Sequence, residues 1–332
     1  MDYALIWYGL IGFAVLIYVV LDGFDLGIGI LFPKATNEAE RDLMMNSIAP
    51  VWDGNETWLV LGGGGLFAVF PLAYSIVMPA LYAPLIIMLL GLVLRGVSFE
   101  YRFRTKRGKF VWSIAFFAGS IAAAATQGIM LGAMLQGIEV DARSYAGGWF
   151  DWFTPFTLFC GFATICAYAL LGACWLVIKL PQELADRYYD VAKHWGIALV
   201  LCIVVVSAWL PLTHEIISQR WFNLPNSMLY FMVPALAVIC IWQLFKSLNN
   251  HQAVRAYLFG IGLFIVSALG FSVSTFPYIV PFAVTYADAA APDSSLKFLL
   301  TGTVFLLPMV IAYSGYAYWV FRGKLKHDEG YH

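Results

Sequence analysis

Apolar runs of about 20 residues or more recur along the whole chain, separated only by short polar breaks. Nine candidate spans cover approximately residues 5–31, 54–73, 75–99, 111–136, 153–180, 194–217, 228–246, 254–279 and 297–321. Each has roughly the length a helix needs to cross a bilayer. Inside lipid, only helices and closed barrels satisfy their own backbone hydrogen bonds. Composition points the same way: of 332 residues, 61% are hydrophobic and 12% charged. Soluble domains carry about 45–50% apolar and about 25% charged residues. Too little polar surface remains to cover a water-soluble globule, and a soluble enzyme is excluded. The formal net charge of -1 argues against a nucleic-acid partner. Twelve Trp and 18 Tyr suit aromatic belts at the two membrane surfaces.

The expected fold is therefore an all-α polytopic membrane protein. Only a short stretch at 71–79 separates the second and third spans, so the charges in the breaks decide the count. One set of breaks holds Lys34, Arg41, Arg102, Arg104, Lys106, Arg107, Lys109, Lys179, Arg187, Lys193, Lys246, Arg255, Arg322, Lys324 and Lys326. The other holds Arg143, Arg220 and Lys297, a ratio of 15 to 3, with Arg95 left inside a span. By the positive-inside rule the N-terminus is outside and the C-terminus inside. Merging spans two and three would put Lys34 and Arg41 on the wrong side, so nine is the better count. No soluble domain, flexible linker or internal repeat is visible, and the breaks near 137–152 and 280–296 are too short for a folded domain. Residues 1–332 read as a single integral membrane domain. The first span lacks a basic leader and contains Asp22 and Asp25, as expected of a retained helix. Cys160, Cys166, Cys174, Cys202 and Cys240 all fall in apolar stretches without a CxxC pair and read as small buried hydrophobes.

Charged groups at membrane depth are costly and point to function. Asp22 and Asp25 stand at i, i+3 in Asp22-Gly23-Phe24-Asp25, on one face of the inner half of span one. A carboxyl pair there can carry exchangeable protons or hydrogen-bond neighbouring helices, and the spacing leaves both open. Trp52-Asp53-Gly54-Asn55-Glu56-Thr57-Trp58 enters span two from the inside. Asp53 and Glu56 have the spacing of a capping box and complement the positive helix end; an acidic mouth is also where a proton enters. Spacing alone favours the cap. For Arg95, ahead of Glu100, Arg102 and Arg104, snorkelling to the inner surface is the favoured reading; neutralising a carboxylate or binding a lipid phosphate are the alternatives.

Gly62-Gly63-Gly64-Gly65 has no preceding strand and no following GK[ST], which excludes a nucleotide loop. Close helix packing is expected there. His251, His327 and His332 lie in inner breaks or the tail, whereas His194 and His214 stand at opposite ends of span six, too far apart to share a metal. Neither builds an HExxH motif. One axial His suffices for haem, but interfacial hydrogen bonding is the favoured reading of both. The ten Met residues are scattered as in ordinary helix cores.

Three stretches carry a family resemblance. They are Asp22-Gly23-Phe24-Asp25-Leu26-Gly27-Ile28-Gly29, Asn46-Ser47-Ile48-Ala49-Pro50-Val51-Trp52-Asp53-Gly54-Asn55-Glu56-Thr57-Trp58-Leu59 and Arg95-Gly96-Val97-Ser98-Phe99-Glu100-Tyr101-Arg102. Together they resemble subunit II of cytochrome bd-type quinol oxidases, including the cyanide-insensitive branch. The match is specific over residues 1–104; beyond them it rests on hydropathy, length and the Phe276-Pro277 region. The resemblance implies two four-helix bundles (approximately 5–136 and 153–279) and a ninth helix (approximately 297–321). It implies a heterodimer with a haem-bearing subunit I in the bacterial cytoplasmic (inner) membrane. That complex oxidises ubiquinol or menaquinol and reduces dioxygen to water, with haem b and haem d ligated by the partner subunit. Some members also hold a structural quinone or lipid in this subunit, and a small accessory subunit is left open. Asp25 and Asp53 match acids implicated in supplying cytoplasmic protons, with Asp22, Glu56 and Glu100 as further proton-transfer candidates. Glu100 stands where some relatives carry aspartate. Arg95, Trp52 and Trp58 are expected to balance charge or support the structure.

Composition alone also admits a proton- or cation-coupled secondary transporter, with Asp22, Asp25 and Asp53 around a midplane site. A purely structural scaffold is a third class.

Overall fold

Capping side chains and prolines set the helix ends in the computed structural model, which describes residues 1–223 and 230–325. Positions 228 and 229 of the seventh expected span, and Lys326, His327 and His332, lie outside the described residues. Helix α1 (Tyr3–Leu31) starts at Asp2, whose carboxylate accepts from the Leu5 amide at 2.9 Å. A 3-10 turn (Phe32–Lys34) leads to α2 (Glu38–Asn46), capped by Asn37, which accepts from the Glu40 amide at 2.8 Å.

The stretch expected to hold spans two and three forms three helices: α3 (Trp52–Val69), α4 (Pro71–Ala80) and α5 (Tyr82–Arg104). Pro71 disfavours helical geometry at the residue before it, and Phe70 takes φ -124° and ψ 63°. A second break falls at Leu81, two residues after Pro79. At ten residues, α4 is about 15 Å long, too short to cross. It packs instead against the outer hairpins. The crossings are therefore α3 and α5, and the break lies earlier and is wider than the sequence suggested.

The chain continues through α6 (Lys109–Gln136), a hairpin of β1 (Val140–Asp141) and β2 (Ser144–Tyr145), and α7 (Pro155–Lys179). Then come α8 (Gln182–Thr213), α9 (Glu215–Phe222), α10 (Met232–Asn249) and α11 (Ala253–Thr275). A second hairpin, β3 (Tyr278–Val280) with β4 (Val284–Thr285), leads into α12 (Tyr286–Ala289) and α13 (Asp293–Val320). Among the described residues, eight helices are long and apolar enough to cross a membrane, and α3, at 18 residues long enough but less apolar, packs against α1 beside them. At 32 residues, α8 is longer than its expected span. Its first three turns carry Glu183, Asp186, Arg187, Asp190 and Lys193, too polar for lipid, and project from the basic end of the bundle.

Helix α1 is central. It packs on α3, α6 and α7; α5 lies along α6, α7 along α6 and α8, and α10 along α11. Every residue from 22 to 31 is buried. Helices α1 and α7 cross at glycines: a Cβ on Gly27 would lie 1.9 Å from the Tyr168 carbonyl oxygen, and one on Gly172 2.5 Å from Gly27. Small residues permit that approach. The four-glycine run does less than expected. Gly62 and Gly65 face Val15 and Ile11 across 3.2 and 3.3 Å, but Gly63 and Gly64 have nothing within 4 Å. At 100° per residue, four consecutive glycines cannot all face α1.

Candidate functional site

Three helices bring the singled-out acids together. Asp22 and Asp25 lie about 13 and about 9 Å from the inner end of α1 at 1.5 Å per residue. Glu56 projects from the first turns of α3, and Arg95 from the basic half of α5. Arg95 Nη1 donates to Asp22 Oδ1 at 2.6 Å and its Nη2 to Glu56 Oε1. The Arg95 side chain is 0% exposed, Asp22 1% and Glu56 27%. Arg95 therefore does not snorkel. It is held inside by two carboxylates from different helices, a pairing that offsets the desolvation of its charge.

Asp25 is fully buried and receives a different partner. Asn55 Nδ2 donates to Asp25 Oδ2 at 2.8 Å, and the Tyr318 hydroxyl of α13 donates to Asn55 Oδ1, also at 2.8 Å. Asp25 Oδ1 and Arg95 Nε are buried with no hydrogen-bond partner among the described residues. Asp22, Asp25, Glu56 and Arg95 all lie within electrostatic reach of one another. Arg95 thus pairs with two of the three carboxyl groups, while Asp25 is held by an amide.

One turn outward on α1 from Asp22, the Tyr18 hydroxyl accepts from Gln127 Nε2 at 2.8 Å, and Tyr168 donates to Gln127 Oε1 at 2.5 Å. The polar interior therefore extends from α1 to α6 and α7.

The capping reading of Asp53 and Glu56 is overturned. The residue flanking α3 is Val51, without a side-chain cap, and Asp53 already sits in the first helical turn. Chain geometry explains this, because α3 starts two residues earlier than the box requires and Glu56 is drawn to Arg95. Asp53 is exposed at the basic end, close enough to Glu56 to act on it electrostatically. Glu100 does not join the cluster; it is exposed and pairs with Arg104 at 3.2 Å. Trp52 stacks on Phe99 with centroids 5.0 Å apart, and the buried Trp58 meets Phe13 edge-on at 6.0 Å.

Sequence reasoning assigned nothing to Asn55, Tyr318, Tyr18, Gln127 or Tyr168. Asn55 was legible in part: it lies 100° around the helix from Glu56, so the two can address different partners. Tyr318, among several aromatics of the last span, carried no local signal.

A second set of buried charges lies closer to the basic end. Arg102, 0% exposed, donates to Glu38 at 2.6 Å, to Asp42 and to Ser113 Oγ at 3.1 Å. Glu40, also of α2, accepts from Arg187 and from the Tyr188 hydroxyl at 2.9 Å. These contacts seat α2 across the ends of α5, α6 and α8.

The two histidines weighed as haem ligands lie apart, His194 within α8 and His214 at its C-terminal end. His194 is exposed, with Nδ1 2.7 Å from the Asp190 carbonyl, and His214 stacks on Phe282 with centroids 5.7 Å apart. Cys160, Cys166, Cys174 and Cys202 are buried within helices and Cys240 is half-buried.

Comparison with known proteins adds a consistent pattern. Residues 3–321 match the family described as cytochrome bd terminal oxidase subunit II. The chain is 27% identical to the cytochrome bd-I ubiquinol oxidase subunit 2 of Escherichia coli K12, covering 98% of this chain and 95% of that one. It is 29% identical to a probable cytochrome oxidase subunit 2 of Haemophilus influenzae, covering 96% and 94%. Identity to the cytochrome bd ubiquinol oxidase subunit 2 of Bacillus subtilis is 27%, covering 98% and 97%. A chain in the structure of the bd oxidase from Geobacillus thermodenitrificans shares the fold, with a TM-score of 0.80 at 14% identity over 97% of this chain and 99% of that one.

Proposed function

Because this chain belongs to the cytochrome bd terminal oxidase subunit II family, a multi-pass membrane subunit of respiratory quinol oxidases, we propose that it carries protons from the cytoplasm toward the oxygen-reducing centre. It does so while stabilising the haem-bearing subunit I in a heterodimer of the bacterial inner membrane. The observation that carries this reading is the buried cluster of Asp22, Asp25, Glu56 and Arg95, polar groups at membrane depth next to the basic end. By the positive-inside rule that end is cytoplasmic, where protons for water formation enter.

Haems b and d, ligated by subunit I, would supply the dioxygen-reducing chemistry, a reading supported by His194, which is exposed, and His214, which stacks on Phe282. Ubiquinol or menaquinol is the reductant. This chain's residues collect and hold protons. Asp53 receives them at the mouth of α3, and Glu56 lies one turn deeper beside Arg95. Arg95 fixes Asp22 and Glu56 in place, so a carboxyl group stays available at each depth. Asn55, positioned by Tyr318, holds one oxygen of the Asp25 carboxyl and leaves the second free to exchange a proton. Glu100 acts at the same end as a surface acid. The whole chain serves as one membrane unit in this reading.

The test is Asp25→Asn in the assembled complex. Asn keeps the shape of Asp and cannot exchange a proton. Assembly and haem spectra should be preserved while oxygen consumption at saturating quinol falls at least about tenfold, a barrier increase of about 1.4 kcal/mol. Unchanged turnover would show that Asp25 is structural.

A further inference from the structure

The basic end of the molecule also holds a pocket of about 200 Å³ between the end of α7, the turn after α2 and the segment that follows α13. Three of its lining residues are cations, Lys179, Arg322 and Lys324, and none is acidic. The burial of one of them sets the pocket apart. Lys179, only 7% exposed, donates to the Phe321 carbonyl at 2.5 Å and has its ammonium 5.1 Å from the Trp175 ring centroid. Arg322 donates to the Trp319 carbonyl at 3.1 Å, and Lys324 to Gln182 Oε1 at 2.9 Å. At the same end Arg41, Arg102, Lys109, Arg187 and Lys193 each pair with a carboxylate, and Lys34, Lys106, Arg107, Lys246 and Arg255, which have no such pair, are exposed to solvent. Among the described residues, the three cations of the pocket pair with none.

A buried ammonium without a counter-charge is costly. Lys179 has three N–H donors, and the helix-end carbonyl of Phe321 takes one. We infer that this pocket binds a phosphate ester. Charge-assisted bonds to phosphate are short and strong, and a basic pocket at the cytoplasmic membrane surface is placed to take anionic headgroups. The pocket is smaller than the roughly 300–1,000 Å³ of sites that enclose a drug-sized ligand whole, so it takes a headgroup and leaves the rest of the ligand outside. The guanidinium of Arg322 lies over the Trp319 ring, 4.5 Å from its centroid, and Trp319 and Tyr316, 59% and 62% exposed on α13, offer an apolar surface beside that cation on which the acyl chains of a phospholipid can lie.

The complex of this chain with subunit I, stripped of lipid in detergent, tests the inference. Dioleoyl phosphatidylglycerol and inorganic phosphate are titrated separately against wild type, K179M and R322Q/K324Q, with retained lipid read by native mass spectrometry and affinity by thermal shift. Wild type should retain one phosphatidylglycerol more than either variant, with an apparent Kd at least about tenfold tighter, as loss of one charged hydrogen bond implies. Saturation by inorganic phosphate with no extra lipid retained would support the phosphate site and identify a free anion as its occupant. If K179M does not assemble, the double variant decides, since Arg322 and Lys324 are exposed. Equal binding of both probes to wild type and the assembled variants would overturn the inference and leave Lys179 as a cap on two helix ends.

Discussion

Arg95 joins α5 to α1 and α3 through one planar group, with Asp22 and Glu56 on separate nitrogens. Arg95→Met removes the cation and leaves the buried Asp22 and the partly buried Glu56 without it. Breaking a buried pair in this way costs about 3–5 kcal/mol, so the thermal midpoint and yield of the assembled complex should fall sharply. Arg95→Lys should rescue only part of the loss, because a single ammonium does not reproduce the planar fork. Asp53 behaves differently. Exposed and without a capping bond, it can be replaced at little structural cost. Asp53→Asn and Asp53→Ala should both assemble with unchanged haem spectra, and both should slow oxygen consumption under saturating quinol and oxygen. Stability loss of about 1 kcal/mol in Asp53→Ala alone, with turnover intact in Asp53→Asn, would restore the capping role.

Helix crossings depend on where glycines face. At the α1–α7 crossing a methyl group on Gly27 meets backbone, which cannot rotate away. Gly27→Ala should therefore force the helices apart and destabilise the complex by about 1–3 kcal/mol. Gly63→Ala, on the open side of α3, should be tolerated, with a gain of up to about 1 kcal/mol in helix propensity. Thermal midpoints of the two variants, measured side by side, check the contrast. The seating of α2 belongs to this scale too. Its acids Glu38, Glu40 and Asp42 look like a solvated run in the sequence, yet they engage Arg102 and Arg187. Only the fold brings those arginines, 60 to 64 and 147 residues away, onto one short helix.

Across the whole molecule, large apolar side chains remain uncovered on α13, including Phe305 and Met309 at 75% and 70% exposure, and Leu296 is its one buried residue. A ninth helix held this lightly gains stability from a partner. Expressed without subunit I, the chain should be short-lived and poorly dispersed in mild detergent. Pulse-chase and size-exclusion measurements check this, and a long-lived monodisperse lone subunit would contradict it.

Hydropathy and charge asymmetry determined the membrane class and the nine crossings, because each span must satisfy its own backbone and hide its own charges within about 20 residues. The motifs around Asp22, Asp53 and Arg95 likewise marked the helices that meet in the site. Tertiary structure alone decided which carboxylate holds Arg95, that Asn55 and Tyr318 hold Asp25, and that Asp53 caps nothing. Those outcomes depend on the rotation and depth of packed helices. A shift of one residue turns a side chain by 100°, and no local pattern in the sequence encodes that angle.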